Sequence, residues 1–212
     1  MDKKIIVAGI GPGAEKYITP AALEKIRNAK FLAGGRRALE TFATSAQVTC
    51  PVTKDIDAVL NFIREKISTD QVVVMVSGDP GYYSMLDVLR KNFDAGLIEV
   101  IPSISSIQLA FAKVAMSWYD ATLLSFHGRR PTDDKLKFEP HKVLGLLTDA
   151  EFNSVTISKI LLNLGWAENS RLIICARLSY ADEKIISTTL ADAVISEPVK
   201  HCVLIVTENL NR

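Results

Sequence analysis

The chain has 212 residues, 48% of them hydrophobic, and its formal net charge at pH 7 is +1. This length suffices for one large or two small domains, and so small a charge supplies no general field that would favour nucleic acid or an anionic membrane. No apolar run approaches the roughly 20 residues that span a bilayer, so we expect no membrane association and no nucleic-acid partner.

Cysteine and histidine usage points to the cytoplasm and away from metal binding. The three cysteines, Cys50, Cys175 and Cys202, are far apart and form no CxxC pair. An odd, scattered set is typical of the reducing cytosol. The three histidines are equally scattered, so we expect no metal site. The apolar stretch 5–10 ends in a glycine turn and predicts a strand, with no targeting peptide.

In the first half of the chain, apolar runs typical of buried strands alternate with helical patterns. Thr19 can cap the first helix, and Pro20 suits its first turn. Strands that are apolar on both faces and separated by helices indicate a mainly parallel sheet covered on both sides. The predicted strands are 4–10, 31–35, 71–77 and 97–102, and the predicted helices are 19–30, 36–43, 57–67, 84–93 and 107–115.

The second half has closely spaced strands, which indicate a mixed sheet. Its polar segment 129–141 predicts a long functional loop or the edge of a linker. We therefore predict two α/β domains, 1–116 with a parallel sheet and 117–212 with a mixed sheet. The predicted strands are 120–128, 142–148, 171–178, 184–190 and 201–207, and the predicted helices are 152–166 and 190–196.

The segment "GIGPG" (9–13) follows the first predicted strand and, with Ala14, formally fits the dinucleotide-binding pattern G-x-G-x-x-A. Pro12 removes a backbone donor that a pyrophosphate would need, and the helix begins only near Thr19. The second strand ends in glycine, where a ribose-binding acid would stand. We reject nicotinamide binding. A tight turn remains possible, and we favour a loop that lets a bulky ligand approach the backbone.

Two more polar loops follow strands, "SGDPGYYS" (77–84) and "PSISS" (102–106). Ligands of open α/β sheets bind at the carboxyl ends of the strands. Asp79 either accepts hydrogen bonds from a ligand or caps the next helix. Ser105 and Ser106 suit polar or anionic groups at a helix N-terminus, unless one of them is only a cap. Two such loops on one sheet edge favour a shared binding site.

Basic side chains also follow strands. Arg36 and Arg37 come after the second predicted strand, and His127, Arg129 and Arg130 lie in "SFHGRRP". Arginine pairs well with carboxylates, and histidine can move a proton near neutral pH. The alternative is solvated surface charge. In a protein of near-zero charge, two arginine pairs at strand ends suit a substrate with several carboxylates.

Together these motifs resemble the tetrapyrrole methylase family, which shares a "GxGPG" loop, a "GDP" turn followed by an aromatic residue, and a "P-x-[IVL]-[ST]-[ST]" loop. Four further segments are similar to the branch that methylates carbon 5 of a corrin precursor. Ser103 stands where the family often has glycine. The four segments are "GGRRALETF" (34–42), 103–129 ending in "HGR", "LLTD" (146–149) and "RLSYADEKI" (177–185).

The resemblance implies a C-methyltransferase of cobalamin biosynthesis that methylates a precorrin or cobalt-precorrin. The enzyme would use S-adenosylmethionine (SAM) and release S-adenosylhomocysteine. Its active site would lie in a cleft between the two α/β domains. The resemblance also implies that His127 assists proton loss from the macrocycle or only orients it. Arginines would bind the peripheral carboxylates: Arg36, Arg37, Arg129 and Arg130. The implied cofactor contacts are Pro12, Gly78, Asp79, Tyr82, Tyr83, Ser105, Ser106, Leu147 and Leu178. A homodimer and a separate protein that methylates carbon 15 are also expected.

Other functions stay open at this point. The same fold could methylate uroporphyrinogen-III, a ribosomal RNA ribose or the diphthamide precursor, although an RNA enzyme would be expected to carry a basic surface. A catalytically silent tetrapyrrole or SAM carrier is a different class, which measurable turnover would exclude. A nicotinamide oxidoreductase is disfavoured by Pro12 and the missing acid.

Overall fold

The computed structural model describes residues 3–208. The chain forms two compact units that divide between Ser105 and Ser106, each with one five-stranded sheet. No helix within residues 3–208 has the length and apolar character that crossing a membrane requires.

The first unit is built on a parallel sheet in the order β3-β2-β4-β1-β5. Its strands are β1 (Ile5–Gly9), β2 (Phe31–Gly34), β3 (Val48–Pro51), β4 (Val72–Val76) and β5 (Ile98–Ile101). Its helices are α1 (Pro20–Asn28), α2 (Arg36–Phe42), α3 (Ile56–Lys66) and α4 (Leu86–Asn92), with short 3-10 turns at Glu15–Tyr17 and Ala95–Leu97. The predicted parallel sheet is confirmed.

Alternation along β1 and β4 explains why both strands lack polar residues. Ile5 and Val7 pack into one hydrophobic cluster, whereas Ile6 and Ala8 pack into another. Because successive side chains of a strand point to opposite faces, the two clusters lie on opposite sides of the sheet. The predicted cap is also confirmed, since Thr19 Oγ1 accepts the Ala22 N–H at 3.2 Å.

Strand β3 was not predicted. It is an edge strand paired with β2, and three of its four residues are exposed. Such a strand buries too little to need the apolar run by which the other strands were recognised.

The second unit has a mixed sheet in the order β6-β7-β10-β8-β9, in which only the β6–β7 pair is parallel. The mixed sheet is therefore also confirmed. Its strands are β6 (Thr122–Ser125), β7 (Leu144–Leu147), β8 (Arg171–Ala176), β9 (Lys184–Thr189) and β10 (Cys202–Thr207). Its helices are α5 (Ser106–Lys113), α6 (Asp133–Leu136), α7 (Ser154–Asn163) and α8 (Leu190–Val194).

Helix α5 falls in the second unit, although the sequence placed residues up to 116 in the first. A Cβ atom built on Gly145 of β7 would stand 2.9 Å from Phe111 Cε2 and 3.5 Å from Ile107 Cγ2. Glycine at this position lets the helix approach the strand closely. Both α5 side chains are fully buried, so α5 packs on the second sheet.

The polar segment 129–141 contains the short helix α6, which the sequence did not predict. Leu136 at its end is fully buried in the core of the second unit. Its carbonyl accepts the Trp166 Nε1–H at 2.8 Å. Phe138 adds an edge-to-face contact with the Trp166 ring and donates its N–H to the Leu164 carbonyl at 3.1 Å, so these contacts together anchor a largely polar segment.

Candidate functional site

Three loops of the first unit leave the sheet at one edge. β1 lies between β4 and β5, and all three strands are parallel, so their carboxyl ends meet there. The loops after these strands carry "GIGPG", "SGDPGYYS" and "PSISS". The structure thus brings together the three motifs that the sequence placed at strand ends.

The first two loops are bonded to each other beyond the sheet. The Gly78 N–H donates to the Gly11 carbonyl at 2.8 Å, and the Gly11 N–H donates to the Gly78 carbonyl at 3.3 Å. Both glycines have left-handed backbones, with φ of +73° and +71°. Because other side chains are strained there, glycine is the residue that suits both positions best.

Gly9 lies where the three loops converge. A Cβ atom on it would stand 2.7 Å from Ser103 Cβ, 2.8 Å from the Gly78 carbonyl oxygen and 2.8 Å from Pro80 Cδ. No real Cβ atom has three such contacts, so the loops can pack this closely only around a glycine.

Asp79 joins two of the loops. Its Oδ1 accepts the Gly81 N–H at 2.8 Å, and its Oδ2 accepts the Ser103 N–H at 2.9 Å. The alternative in which Asp79 caps the next helix is wrong, because the side chain near the start of α4 is Ser84, whose Oγ accepts the Leu86 N–H. A ligand contact of Asp79 stays a prediction, and the carboxylate already holds two loops together.

Ser103 fits its position without strain. The Ser103 backbone is not among the positive-φ positions of residues 3–208. A serine can therefore replace the family's glycine. Its Oγ also donates to the Tyr17 carbonyl at 3.4 Å, which links the third loop to the first.

The two tyrosines after the "GDP" turn pack edge to face, with ring centroids 4.8 Å apart. Tyr83 has a left-handed backbone with φ of +49° and is 44% exposed. Burial raises the pKa of the Tyr82 hydroxyl far above its usual range, and Tyr83 adds to the rise. The Tyr82 hydroxyl therefore stays protonated at neutral pH and can donate a hydrogen bond.

The remaining predicted residues of this edge lie at loop or helix starts. Pro12 is half-buried between Gly11 and Gly13, and Ser105 is buried immediately before α5, whose first residue is Ser106. Arg36 and Arg37 are exposed in the first turn of α2, directly after β2. Because β2 is parallel to β4, the arginine pair follows the same edge of the first sheet.

In the second unit, the "HGR" turn follows β6. His127 is exposed, and its N–H donates to Ser125 Oγ at 3.2 Å. Arg129 and Arg130 are also exposed, and Arg130 pairs with Asp133 at 2.6 Å. Such an exposed ion pair contributes about 1 kcal/mol or less, so Arg130 can exchange it for a ligand carboxylate.

Asp149 is a residue of this region to which the sequence assigned no role. Its carboxylate accepts N–H groups from Gly128, Glu151 and Phe152. These bonds, the one from Gly128 first, hold the pKa of Asp149 below its ordinary value, and the charge of His127 adds to the effect. The "LLTD" segment was the available signal, because an acid two residues past a strand suits a loop cap.

The two leucines predicted to contact adenine lie at strand ends. Leu147 is the last residue of β7 and is half-buried. Leu178 follows β8 and is buried between Arg177 and Ser179, which both have positive φ. Their contact with a cofactor stays a prediction.

The match to a known family agrees with this arrangement. Residues 4–194 match the tetrapyrrole (corrin/porphyrin) methylases. The chain belongs to this family of C-methyltransferases.

Individual relatives carry more specific names than the family. The chain is 31% identical to the probable cobalt-precorrin-7 C(5)-methyltransferase of Methanocaldococcus jannaschii, over 85% of this chain and 87% of that protein. It is 32% identical to the cobalt-precorrin-7 C(5)-methyltransferase of Salmonella typhimurium, over 85% and 88%. It is 28% identical to a precorrin-6Y C(5,15)-methyltransferase of Sinorhizobium, over 94% of this chain and 49% of that protein.

Solved structures share the fold. The methyltransferase CobJ superimposes with a TM-score of 0.83 at 18% identity, over 99% of this chain and 95% of that one. The uroporphyrin-III C-methyltransferase of Thermus thermophilus, solved in complex with S-adenosylhomocysteine, gives a TM-score of 0.75 at 21% identity, over 96% and 92%.

Proposed function

We propose that this chain transfers the methyl group of SAM to carbon 5 of cobalt-precorrin-7 during cobalamin biosynthesis. The observation that carries the proposal is the match to two cobalt-precorrin-7 C(5)-methyltransferases at 31% and 32% identity, each over 85% of this chain. Other acceptors, such as uroporphyrinogen-III, are not favoured, because these relatives carry the carbon-5 name and match along most of both chains.

The residues at the edge of the first sheet suit SAM as the cofactor. The three loops bring polar residues to one edge of the sheet, where Tyr82 carries a hydroxyl donor. The exposed ring of Tyr83 offers an apolar face. Pro12, Gly78, Asp79, Ser105 and Ser106 complete this set, and Leu147 and Leu178 would add apolar contacts with adenine. The Thermus structure with S-adenosylhomocysteine supports the cofactor class.

SAM, when bound, supplies a methyl group already activated on a sulfonium sulfur, so the protein's main task is alignment and exclusion of water. Arg36, Arg37, Arg129 and Arg130 would bind peripheral carboxylates of the macrocycle and set its orientation. His127 would accept a proton from the macrocycle, since a neutral imidazole has one ring nitrogen that can act as acceptor. Transfer of a methyl group from the sulfonium would add one positive charge to the macrocycle, and loss of one proton to His127 would balance it.

The first test is calorimetric titration with S-adenosylhomocysteine and, separately, with NADH. We expect micromolar binding of the first and none of the second. Turnover is then measured with cobalt-precorrin-7 and SAM carrying a carbon-13 methyl group, and NMR of the product should place the label on carbon 5. Binding without a label on carbon 5 would reject the acceptor, and absence of binding would reject the methyltransferase.

The role of His127 has its own test. If His127 accepts the proton, His127→Ala should lower turnover by about 10²- to 10⁴-fold and leave S-adenosylhomocysteine affinity unchanged. His141→Ala is the matched control, because that histidine is exposed and its ring lies 3.7 Å from Glu208, outside the candidate site. Wild-type turnover in His127→Ala would remove His127 from the chemistry.

Assembly and location are part of the same proposal. The chain spans about half of the Sinorhizobium relative, which is named for methylation at carbons 5 and 15, and we propose a carbon-15 methylating enzyme as functional partner. A homodimer follows from the family resemblance. A cytoplasmic location is supported by the three free cysteines.

A further inference from the structure

Two loops leave the second sheet side by side. β6 and β7 are parallel neighbours, and their last register pair is Ser125 with Leu147. The ladder continues for one more bond, from the Phe126 N–H to the Leu147 carbonyl at 2.8 Å. Because parallel neighbours end at the same sheet edge, residues 127–130 and 148–152 start next to each other.

Asp149 spans these two loops with the two oxygens of one carboxylate. Oδ1 serves its own loop, accepting the Glu151 N–H at 2.9 Å and the Phe152 N–H at 2.7 Å. Oδ2 reaches the other loop and accepts the Gly128 N–H at 3.0 Å. Both oxygens must be acceptors, which an ionised carboxylate provides and an amide does not.

The Gly128 end of this contact lies in a turn with two further hydrogen bonds. Gly128 has a left-handed backbone with φ of +65°, and a Cβ atom there would meet nothing within 4 Å. Around it, the Arg129 N–H donates to the Phe126 carbonyl at 3.3 Å and the His127 N–H to Ser125 Oγ at 3.2 Å. The bond to Asp149 is the shortest of these three and the one with a charged acceptor, which makes it the strongest.

We propose that Asp149 is a positioning residue of the methyl transfer: by holding the Gly128 amide it sets the directions of His127 and Arg129 toward the tetrapyrrole. In this proposal Asp149 acts through the Gly128 turn and has no contact of its own with substrate or cofactor. The inference rests on the proposed function, which gives His127 and Arg129 their roles.

The main test is Asp149→Asn in the full-length protein. The amide keeps one acceptor oxygen. Two N–H groups of its own loop compete for that oxygen against one from Gly128, so we expect the bond to Gly128 to be lost. Loss of a hydrogen bond to a charged acceptor predicts a fall in kcat/KM for cobalt-precorrin-7 of about 10- to 100-fold. We expect KM to rise as well as kcat to fall, because Arg129 and His127 are both displaced. Affinity for S-adenosylhomocysteine should stay within about twofold.

Two further readouts separate positioning from a general loss of structure. In the NMR spectrum, the Gly128 amide should move upfield and exchange faster in Asp149→Asn. Gly128→Ala leaves the carboxylate intact and strains the same turn, since φ of +65° disfavours alanine. Gly128→Ala should therefore raise KM, as Asp149→Asn is expected to do. This variant tests the turn even if Asp149→Asn does not fold.

Asp55→Asn is the matched control. Asp55 caps α3 by accepting one N–H, from Ala58 at 3.1 Å, and asparagine caps as well as aspartate. Its kinetics should equal those of the wild type.

Several outcomes would overturn the proposal. One is wild-type kcat and KM in Asp149→Asn, and another is an unshifted Gly128 amide. A parallel loss of S-adenosylhomocysteine binding, or a lower kcat at unchanged KM, would show a role in folding instead. A wild-type protein that does not methylate carbon 5 would reject the proposed function, and the Gly128 amide would still report whether Asp149 holds the turn.

Discussion

Replacing Gly9 with alanine tests whether the three loops of the first unit depend on close packing. The added methyl would stand 2.7–2.8 Å from Ser103 Cβ, the Gly78 carbonyl oxygen and Pro80 Cδ. Ordinary contact needs about 0.6–0.7 Å more in each direction. None of the three atoms is the end of a flexible side chain, so the loops themselves must separate.

The expected magnitude follows from overpacking. Forcing one methyl into a well-packed region costs about 1–3 kcal/mol. For a chain of this size, that corresponds to a fall of about 2–4 °C in unfolding temperature per kcal/mol. If these loops hold SAM, separating them should also weaken S-adenosylhomocysteine binding by about tenfold.

Thermal unfolding and calorimetric titration measure the two effects. Gly35→Ala is the matched control, because its Cβ would meet nothing within 4 Å, and its stability should change by less than about 1 kcal/mol. Wild-type stability in Gly9→Ala would refute the packing argument. Lower stability with unchanged S-adenosylhomocysteine affinity would refute the link between these loops and the cofactor.

Carboxylates and thiols elsewhere in the chain allow three more tests. Asp79→Asn should lower the free energy of unfolding by about 1 kcal/mol, because one of two acceptor oxygens is lost; an unchanged urea midpoint would contradict this. The pKa of Asp149 in the folded protein lies below the ordinary value of 3.8. The carboxylate therefore stabilises the fold fully above pH 3.8, and this contribution is lost as the pH falls through the folded-state pKa. The difference in unfolding temperature between wild type and Asp149→Asn should therefore shrink below pH 3.8, and a difference independent of pH would exclude this linkage. Burial raises the pKa of Cys175 to about 12 and of Cys202 to about 11. At about pH 8 a thiol reagent should modify only half-buried Cys50 in the folded protein and all three in denaturant, and fast native labelling of three thiols would contradict the burial.

The sequence was sufficient for the parts of the fold that depend on burial. The strand containing Val72–Val76 is apolar throughout because both of its faces are covered, so its pattern alone predicted a central parallel strand. The cap at Thr19 was equally local, since it needs only a hydroxyl and a following helix. Edge strand β3 was not predicted from the sequence, because three of its four residues are exposed and it lacks an apolar run.

The candidate site divides in the same way. Sequence reasoning found the three motif loops, because the connections after parallel strands all leave the sheet at one edge. It could not find the pairing of Asp79 with the Ser103 N–H, or of Asp149 with the Gly128 N–H, which join residues 24 and 21 positions apart. Sequence reasoning also could not tell which sheet α5 packs on, because its apolar residues suit either one. The structure shows α5 against Gly145 of the second sheet.

The sequence by itself therefore determined the strands, the loop motifs and the family resemblance, since each depends on the order of residues along the chain. Only the tertiary structure decided which carboxylate holds which loop and which sheet α5 covers. The physical reason is that a hydrogen bond or a packing contact depends on distance in space, and segments far apart in sequence come within that distance only once the sheets have formed.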